Sequence, residues 1–174
     1  MAEFNDNLWA PWRMEYIRSL AEEHAETGAC FLCAYAADPS TDAAHHVVWR
    51  GTHALVLMNR FPYTNGHLLV APVRHVGDPM QLTADERNEV AELSYTGVEL
   101  LRRAFHADGF NVGANIGRCA GAGLPDHLHH HVVARWSGDT NYMAVLGGVR
   151  VIPDALDATY AQLVDQARAM GLRD

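Results

Sequence analysis

The sequence predicts an α+β fold built on an antiparallel sheet. Three observations lead there. Apolar runs at residues 46–49 and 54–57 flank the turn formers Arg50, Gly51, Thr52 and His53, which reads as a hairpin. Val90, Leu93, Gly97, Leu100, Leu101 and Ala104 recur at helical spacing, so one long central helix lies between two groups of strands. The connections on either side of it are short and hairpin-like, so consecutive strands pair with each other instead of alternating with crossover helices.

Taken in order, the chain opens with Trp9 and Trp12 around Pro11. This aromatic pair packs as an arm on the body or on a second subunit, with ligand contact as the alternative. Residues 14–26 can form a short helix ending near Gly28. Cys30 and Cys33 then form a C-x-x-C pair. In a reduced compartment that spacing serves zinc or redox chemistry more often than a disulfide, and two buried thiols are the third reading. After the hairpin, residues 59–66 are rich in turn formers. Residues 67–72 are a buried strand ended by Pro72, with Arg74 and His75 just past its end. Thr83 and Glu86 have capping-box spacing and open the long helix, which stops near Asp108 and Gly109. Residues 110–116 form a fourth strand. A glycine-punctuated loop follows, then a histidine-rich fifth strand at 127–133. Residues 153–170, with a proline start and Gly171 at the end, form a C-terminal helix.

Composition narrows the function. The length of 174 residues suits one domain with a proper core. The formal charge of −8 argues against a nucleic-acid or anionic-membrane surface, while a local positive pocket for a nucleotide stays compatible with it. No apolar run approaches the length of a membrane span, and the N-terminus lacks the basic start and apolar core of a signal peptide. Three cysteines do not form a disulfide framework, and a cytoplasmic protein is expected.

The most informative stretch is His127, Leu128, His129, His130, His131, Val132 and Val133. Read as a strand, it puts His127, His129 and His131 on one face, with neighbours roughly 6 to 7 Å apart. Such rings are too far apart to bond each other but close enough to serve one phosphate or one metal. A solvated strand, a zinc site and nucleophilic attack on phosphorus compete as readings. The glycines at 117, 121 and 123 favour attack on phosphorus, because unencumbered backbone can bring N–H groups to phosphate oxygens.

At this His-x-His-x-His run followed by two valines, the chain resembles the histidine triad (HIT) superfamily. The match extends to Asn59 and, eight residues on, His67 in Gly66-His67-Leu68-Leu69-Val70. Residues 8–14 and 135–143 resemble the bacterial branch that holds diadenosine tetraphosphate phosphorylases. The resemblance implies a single HIT domain over 1–174, with a core at about 30–136, an N-terminal arm at 1–28 and a helical extension at 150–174. Its fold would be an antiparallel sheet of about five strands with a central and a C-terminal helix.

The resemblance also implies roles. His129 would attack the α-phosphorus of a nucleotide and form a nucleotidyl-histidine, His131 would contact a phosphate oxygen or the leaving group, and His127 would complete the triad. Asn59 would take the ribose hydroxyls, and Asn115 would position phosphate. Backbone N–H groups of Gly121, Ala122 and Gly123 would hold the non-bridging oxygens, and His67 and Trp136 would line the substrate site. In zinc-carrying members, the equivalents of Cys30, Cys33, His75 and His127 bind a structural zinc. No organic cofactor is implied. The partners would be an adenine nucleotide and a second copy of the chain, with no nucleic acid or membrane.

The chain departs from the family pattern at Leu124, Pro125 and Asp126, where many members carry a hydroxyl side chain that reaches the leaving group. That departure motivates two alternatives: hydrolysis of phosphoramidates or adenylates, and a nucleotide-binding module with little turnover. His130 reads as a surface or packing residue. His24, His45, His46, His53 and His106 read as surface residues, and Cys119 as a thiol without a catalytic role.

Overall fold

The computed structural model describes residues 30–139 and 154–173. The elements in order are helix α1 (Phe31–Ala37), strands β1 (Val47–Arg50), β2 (Ala54–Met58) and β3 (Leu68–Pro72), helix α2 (Ala84–Phe105), strands β4 (Gly109–Ala114) and β5 (His130–Arg135), and helix α3 (Leu156–Ala169). All pairings are antiparallel, and the strand order is β1-β2-β3-β5-β4. The predicted architecture is therefore observed. The expected aromatic arm and the helix at 14–26 lie outside the described residues.

β2 and β3 are buried along their whole length, which is why their sequences are continuous apolar runs without alternation. One sheet face packs on α2 and α3 through Val56, Val70, Leu100, Leu101, Val132 and Leu163. The other face carries Leu55, Leu57, Leu69 and Ala71 and is covered by α1 through Leu32 and Tyr35. That second cluster draws no residue from β4 or β5, so α1 covers only the β1–β2–β3 side. Leu69 pairs with His131, which therefore stands on the α1 face beside this cluster.

α2 starts where the sequence placed it. Thr83 accepts the Glu86 N–H, and the Glu86 carboxylate accepts the Thr83 N–H, a reciprocal cap worth about 1 kcal/mol. Arg74 donates twice to that same carboxylate and holds it down to about 2. The predicted stripe is core: Val90, Gly97, Leu100 and Leu101 are buried.

Several boundaries differ from expectation. β5 begins at His130, not at 127, because its last register pairs, with Val70 of β3 and with Ala114 at the end of β4, are both at His130. β4 accordingly stops two residues short of Ile116. α3 begins at Leu156, with Ala155 as its N-cap, while Pro153 lies outside the described residues. No helix among the described residues is long and apolar enough to cross a membrane.

Candidate active site and metal cluster

The alternation predicted for the histidines persists even though His127 and His129 lie outside the ladder. His127 and His129 are buried and His131 is half-buried. His130, on the opposite face, meets α2, where its Nδ1–H donates to Ser94 Oγ at 3.2 Å while the Ser94 hydroxyl donates to the Val90 carbonyl. His130 is thus a packing residue, as one of its two readings held.

Hydrogen bonds set the tautomer of each ring on the site face. The carbonyl of His127 can only accept, so His129 Nδ1 carries the proton at 2.9 Å and its Nε2 carries the lone pair. Burial lowers the pKa of His129 and opposes its protonation. His131 is pushed down to about 4, first by burial and then by the neighbouring His129 and His130. Both rings are therefore neutral at pH 7. They stand edge to face with centroids 5.1 Å apart.

A relay fixes His131. The backbone N–H of Tyr63 donates to His67 Nδ1 at 3.1 Å, and Asn59 Nδ2 lies 3.3 Å from the same nitrogen. His67 therefore holds its proton on Nε2 and donates it to His131 Nδ1 at 2.9 Å. That leaves the His131 proton on Nε2, which is buried without a hydrogen-bond partner. A buried, unpaired N–H costs free energy unless a ligand accepts from it, about 1 to 3 kcal/mol. Tyr63 also stacks on His131, 18° from parallel at 5.7 Å, and tilts over His67 at 4.5 Å.

The loop from Asn115 to Asp126 is a folded unit. Gly117 and Gly121 adopt positive φ (81° and 87°) and bracket a single 3₁₀ turn at Arg118–Ala120. The Gly121 N–H donates to the Arg118 carbonyl, and the Ala122 N–H points at the Gly117 carbonyl at 3.4 Å. Of the three amides expected to meet phosphate, only that of Gly123 lacks an internal acceptor among the described residues. Asn115 reaches across the loop to the Gly121 carbonyl at 3.5 Å. Gly77 lets the next segment pack flush, since a Cβ there would lie 2.4 Å from the Pro125 carbonyl.

Cys30, Cys33, His75 and His127 converge, each offering one ligand atom, all within 4.8 Å of one another. Nδ1 of His127 lies 3.1 Å from Cys30 Sγ and 3.5 Å from Cys33 Sγ, and Nδ1 of His75 lies 3.3 Å from Cys33 Sγ. Ligands around a tetrahedral zinc sit roughly 3.3 to 3.8 Å apart, so the spacing suits a metal. The tautomer agrees. His127 Nε2–H donates to the Pro72 carbonyl at 2.8 Å, which turns the Nδ1 lone pair toward the thiols. In the absence of a cation, burial and the Cys30 thiol push Cys33 up to about 11, and a bound metal reverses that preference. The four side chains can therefore hold a metal ion.

The predicted residues divide clearly. Asn59, His67 and His131 form one hydrogen-bonded chain and His127 and His129 another, joined by the ring contact of His129 with His131, and the four cysteine and histidine side chains form a cluster that shares His127. His67 is fully buried and donates to His131. Asn59 accepts the Phe61 N–H, closing its own turn. Trp136 packs against the main core, its indole N–H donating to the Phe105 carbonyl, away from the histidines. The described residues also open a cleft of about 480 Å³, but it lies beside His75, Gly77, Gly117 and Asp126 and not over His129. Tyr63 and Pro72 were missed. Tyr63 carried one legible signal, an aromatic residue between Asn59 and His67; Pro72 acts through a carbonyl, which sequence does not advertise.

Two surface assignments are corrected. His46 has a positive φ of 55° that folds it inward, leaving its side chain 13% exposed and bonded to Asp157 of α3 at 2.8 Å. His45 is half-buried and stacks on Tyr35 at 3.9 Å. His53, His106 and Cys119 are exposed as expected, and His24 lies outside the described residues.

A family model described as HIT domain matches residues 40–138. A Mycobacterium tuberculosis protein named AP-4-A phosphorylase is 36% identical over 158 residues, covering 87% of this chain and 79% of the relative. The crystal structure of a Zn-bound histidine triad family protein from Mycobacterium smegmatis superposes with a TM-score of 0.67 at 26% identity, covering 82% of this chain and 96% of that one. A Plasmodium falciparum diadenosine triphosphate hydrolase shares the fold at 15% identity, with a TM-score of 0.58 and coverage of 73% and 77%.

Proposed function

This chain belongs to the HIT domain family, and we propose that it cleaves dinucleoside polyphosphates, adenine nucleotides among them, at the α-phosphate through a nucleotidyl-histidine on His129. One observation carries the reading: His129, whose lone pair is on Nε2, stands edge to face with His131, whose Nε2–H is buried without a partner, their ring centroids 5.1 Å apart. The first is a nucleophile that needs no deprotonation, and the second is a donor for a phosphate oxygen. The similarity to a mycobacterial AP-4-A phosphorylase supports the choice of substrate.

In the first step His129 Nε2 bonds to the α-phosphorus, and the bond from phosphorus to the bridging oxygen breaks, releasing the remaining nucleotide. The ring becomes cationic, and the His127 carbonyl stabilises its Nδ1–H as charge develops. The Gly123 N–H and His131 Nε2–H hold phosphate oxygens. In the second step an oxygen of inorganic phosphate attacks the α-phosphorus, the P–N bond breaks and neutral His129 returns. Diadenosine tetraphosphate plus phosphate then gives ADP and ATP; water in place of phosphate gives AMP and ATP.

Zinc is the metal proposed for Cys30, Cys33, His75 and His127. When bound it cross-links α1 to the segment preceding β5, and four protein ligands leave no open position for substrate. A two-fold dimer joined along β4, the exposed edge of the sheet, completes the proposal.

The test is incubation with diadenosine tetraphosphate, with and without inorganic phosphate, with products resolved by chromatography. ADP and ATP appearing only with phosphate supports a phosphorylase. AMP and ATP without it makes the enzyme a hydrolase. Tight AMP binding with no product from any dinucleotide favours the binding-module alternative, which Leu124 and Pro125 motivate.

A further inference from the structure

The cations of this chain are all arginines, since the sequence has no lysine. Ten arginines fall among the described residues. Six pair with carboxylates. Arg87 and Arg173 donate to main-chain carbonyls. The side chains of Arg60 and Arg118 alone make neither an ion pair nor a hydrogen bond among the described residues. Both are exposed, and both stand on loops that bound the histidine network.

The two loops lie at opposite ends of that network. Arg60 follows Asn59 in the loop that enters β3 at the His67 end. Arg118 stands in the loop that leaves β4 at Ala114, register partner of His130, and returns at His127. The Arg118 loop is a pre-formed turn beside the amides expected to meet phosphate. Two positive-φ glycines bracket its turn, and three internal hydrogen bonds close it. A planar guanidinium on a pre-formed turn loses little further freedom when it takes up phosphate.

Charge makes this cation consequential. A chain of net charge −8 repels a polyanion overall, so a polyphosphate needs a local positive group. Asp78 and Asp126 line the neighbouring cleft, which disfavours that route for an anionic chain.

Resting on the nucleotidyl-transfer reading above, we propose that Arg118 receives the polyphosphate chain beyond the attacked phosphorus. It would thereby select substrates with a long anionic leaving group over phosphoramidates and simple adenylates.

The test is calorimetric binding of adenosine tetraphosphate and of AMP to the wild type and to Arg118→Gln, at two salt concentrations. Because the Arg118 side chain is exposed and makes no hydrogen bond or ion pair among the described residues, the variant should fold with an unchanged melting temperature. The expected result is that adenosine tetraphosphate binds on the order of tenfold or more weakly to the variant, with a shallower salt dependence. AMP affinity should stay within about twofold, and Arg118→Lys should recover part of the loss. Equal weakening of both nucleotides, or no change in either, overturns the Arg118 assignment while leaving nucleotide binding intact. A wild type that binds neither nucleotide overturns both readings.

Discussion

The carbonyl of His127 accepts the Nδ1–H of His129 at 2.9 Å. The side chain of the same His127 faces Cys30 and Cys33. One residue therefore links the Cys30, Cys33, His75 and His127 cluster to His129, the proposed nucleophile, by its imidazole on one side and its backbone on the other. If zinc fills that cluster as proposed, a chelator, or the variant Cys33→Ser, should loosen both. The melting temperature should fall by on the order of 10 °C, and activity should drop with it. Loss of activity at an unchanged melting temperature would instead point to a catalytic metal.

His129→Ala should abolish turnover while nucleotide affinity stays within a few-fold of the wild type. His131→Ala keeps the nucleophile and removes the donor, so kcat should fall by about 10² to 10⁴. Incubation with radiolabelled substrate and acid lability of the label would identify the phosphoramidate on the wild type, and none should form on His129→Ala.

The relay predicts a positioning effect without direct contact. His67→Ala leaves His131 Nδ1 without its donor and frees the ring to change tautomer. We expect kcat to fall at nearly constant KM, with the pH profile of kcat displaced. A purely structural role for His67 would lower stability and leave the profile of the remaining active enzyme unmoved.

Acid should weaken the fold through His131. Its folded pKa, about 4, lies below the unfolded value near 6.5, so the unfolded chain binds more protons between those limits. The stability it contributes is present above pH 6.5 and is lost as pH falls toward 4. Urea midpoints measured at pH 7.5 and pH 5 should differ, and His131→Asn should reduce the difference.

Gly66 should tolerate no side chain. Its φ is +72°, and a Cβ would lie 2.8 Å from both Leu101 Cδ2 and Phe105 Cε2. Gly66→Ala should cost about 1 to 3 kcal/mol in equilibrium unfolding, through strain and overpacking together.

The sheet, the long helix and its cap were legible in the sequence because local rules decide them. Apolar runs between turn formers, helical spacing over residues 90–104 and a reciprocal Thr83–Glu86 cap need no tertiary partner to be recognised. The residue types of the site were legible for a similar reason, since few folds concentrate imidazoles at alternate positions. The four metal ligands emerged from the family pattern, and the structure brings them within reach of one another.

What tertiary structure alone decided is where the protons sit. His127, His129 and His131 are the same residue type two positions apart, yet Pro72 and His67 fix the Nε2–H tautomer on His127 and His131 while the His127 carbonyl fixes the Nδ1–H tautomer on His129. Pro72 of β3 and His67, the residue just before that strand, reach these rings from a segment distant in sequence, so no local pattern could have assigned their bonds. The sequence by itself determined that several imidazoles share one face. The fold determined which presents a lone pair, which presents a proton and which faces the thiols, because a hydrogen bond at one ring nitrogen dictates the state of the other.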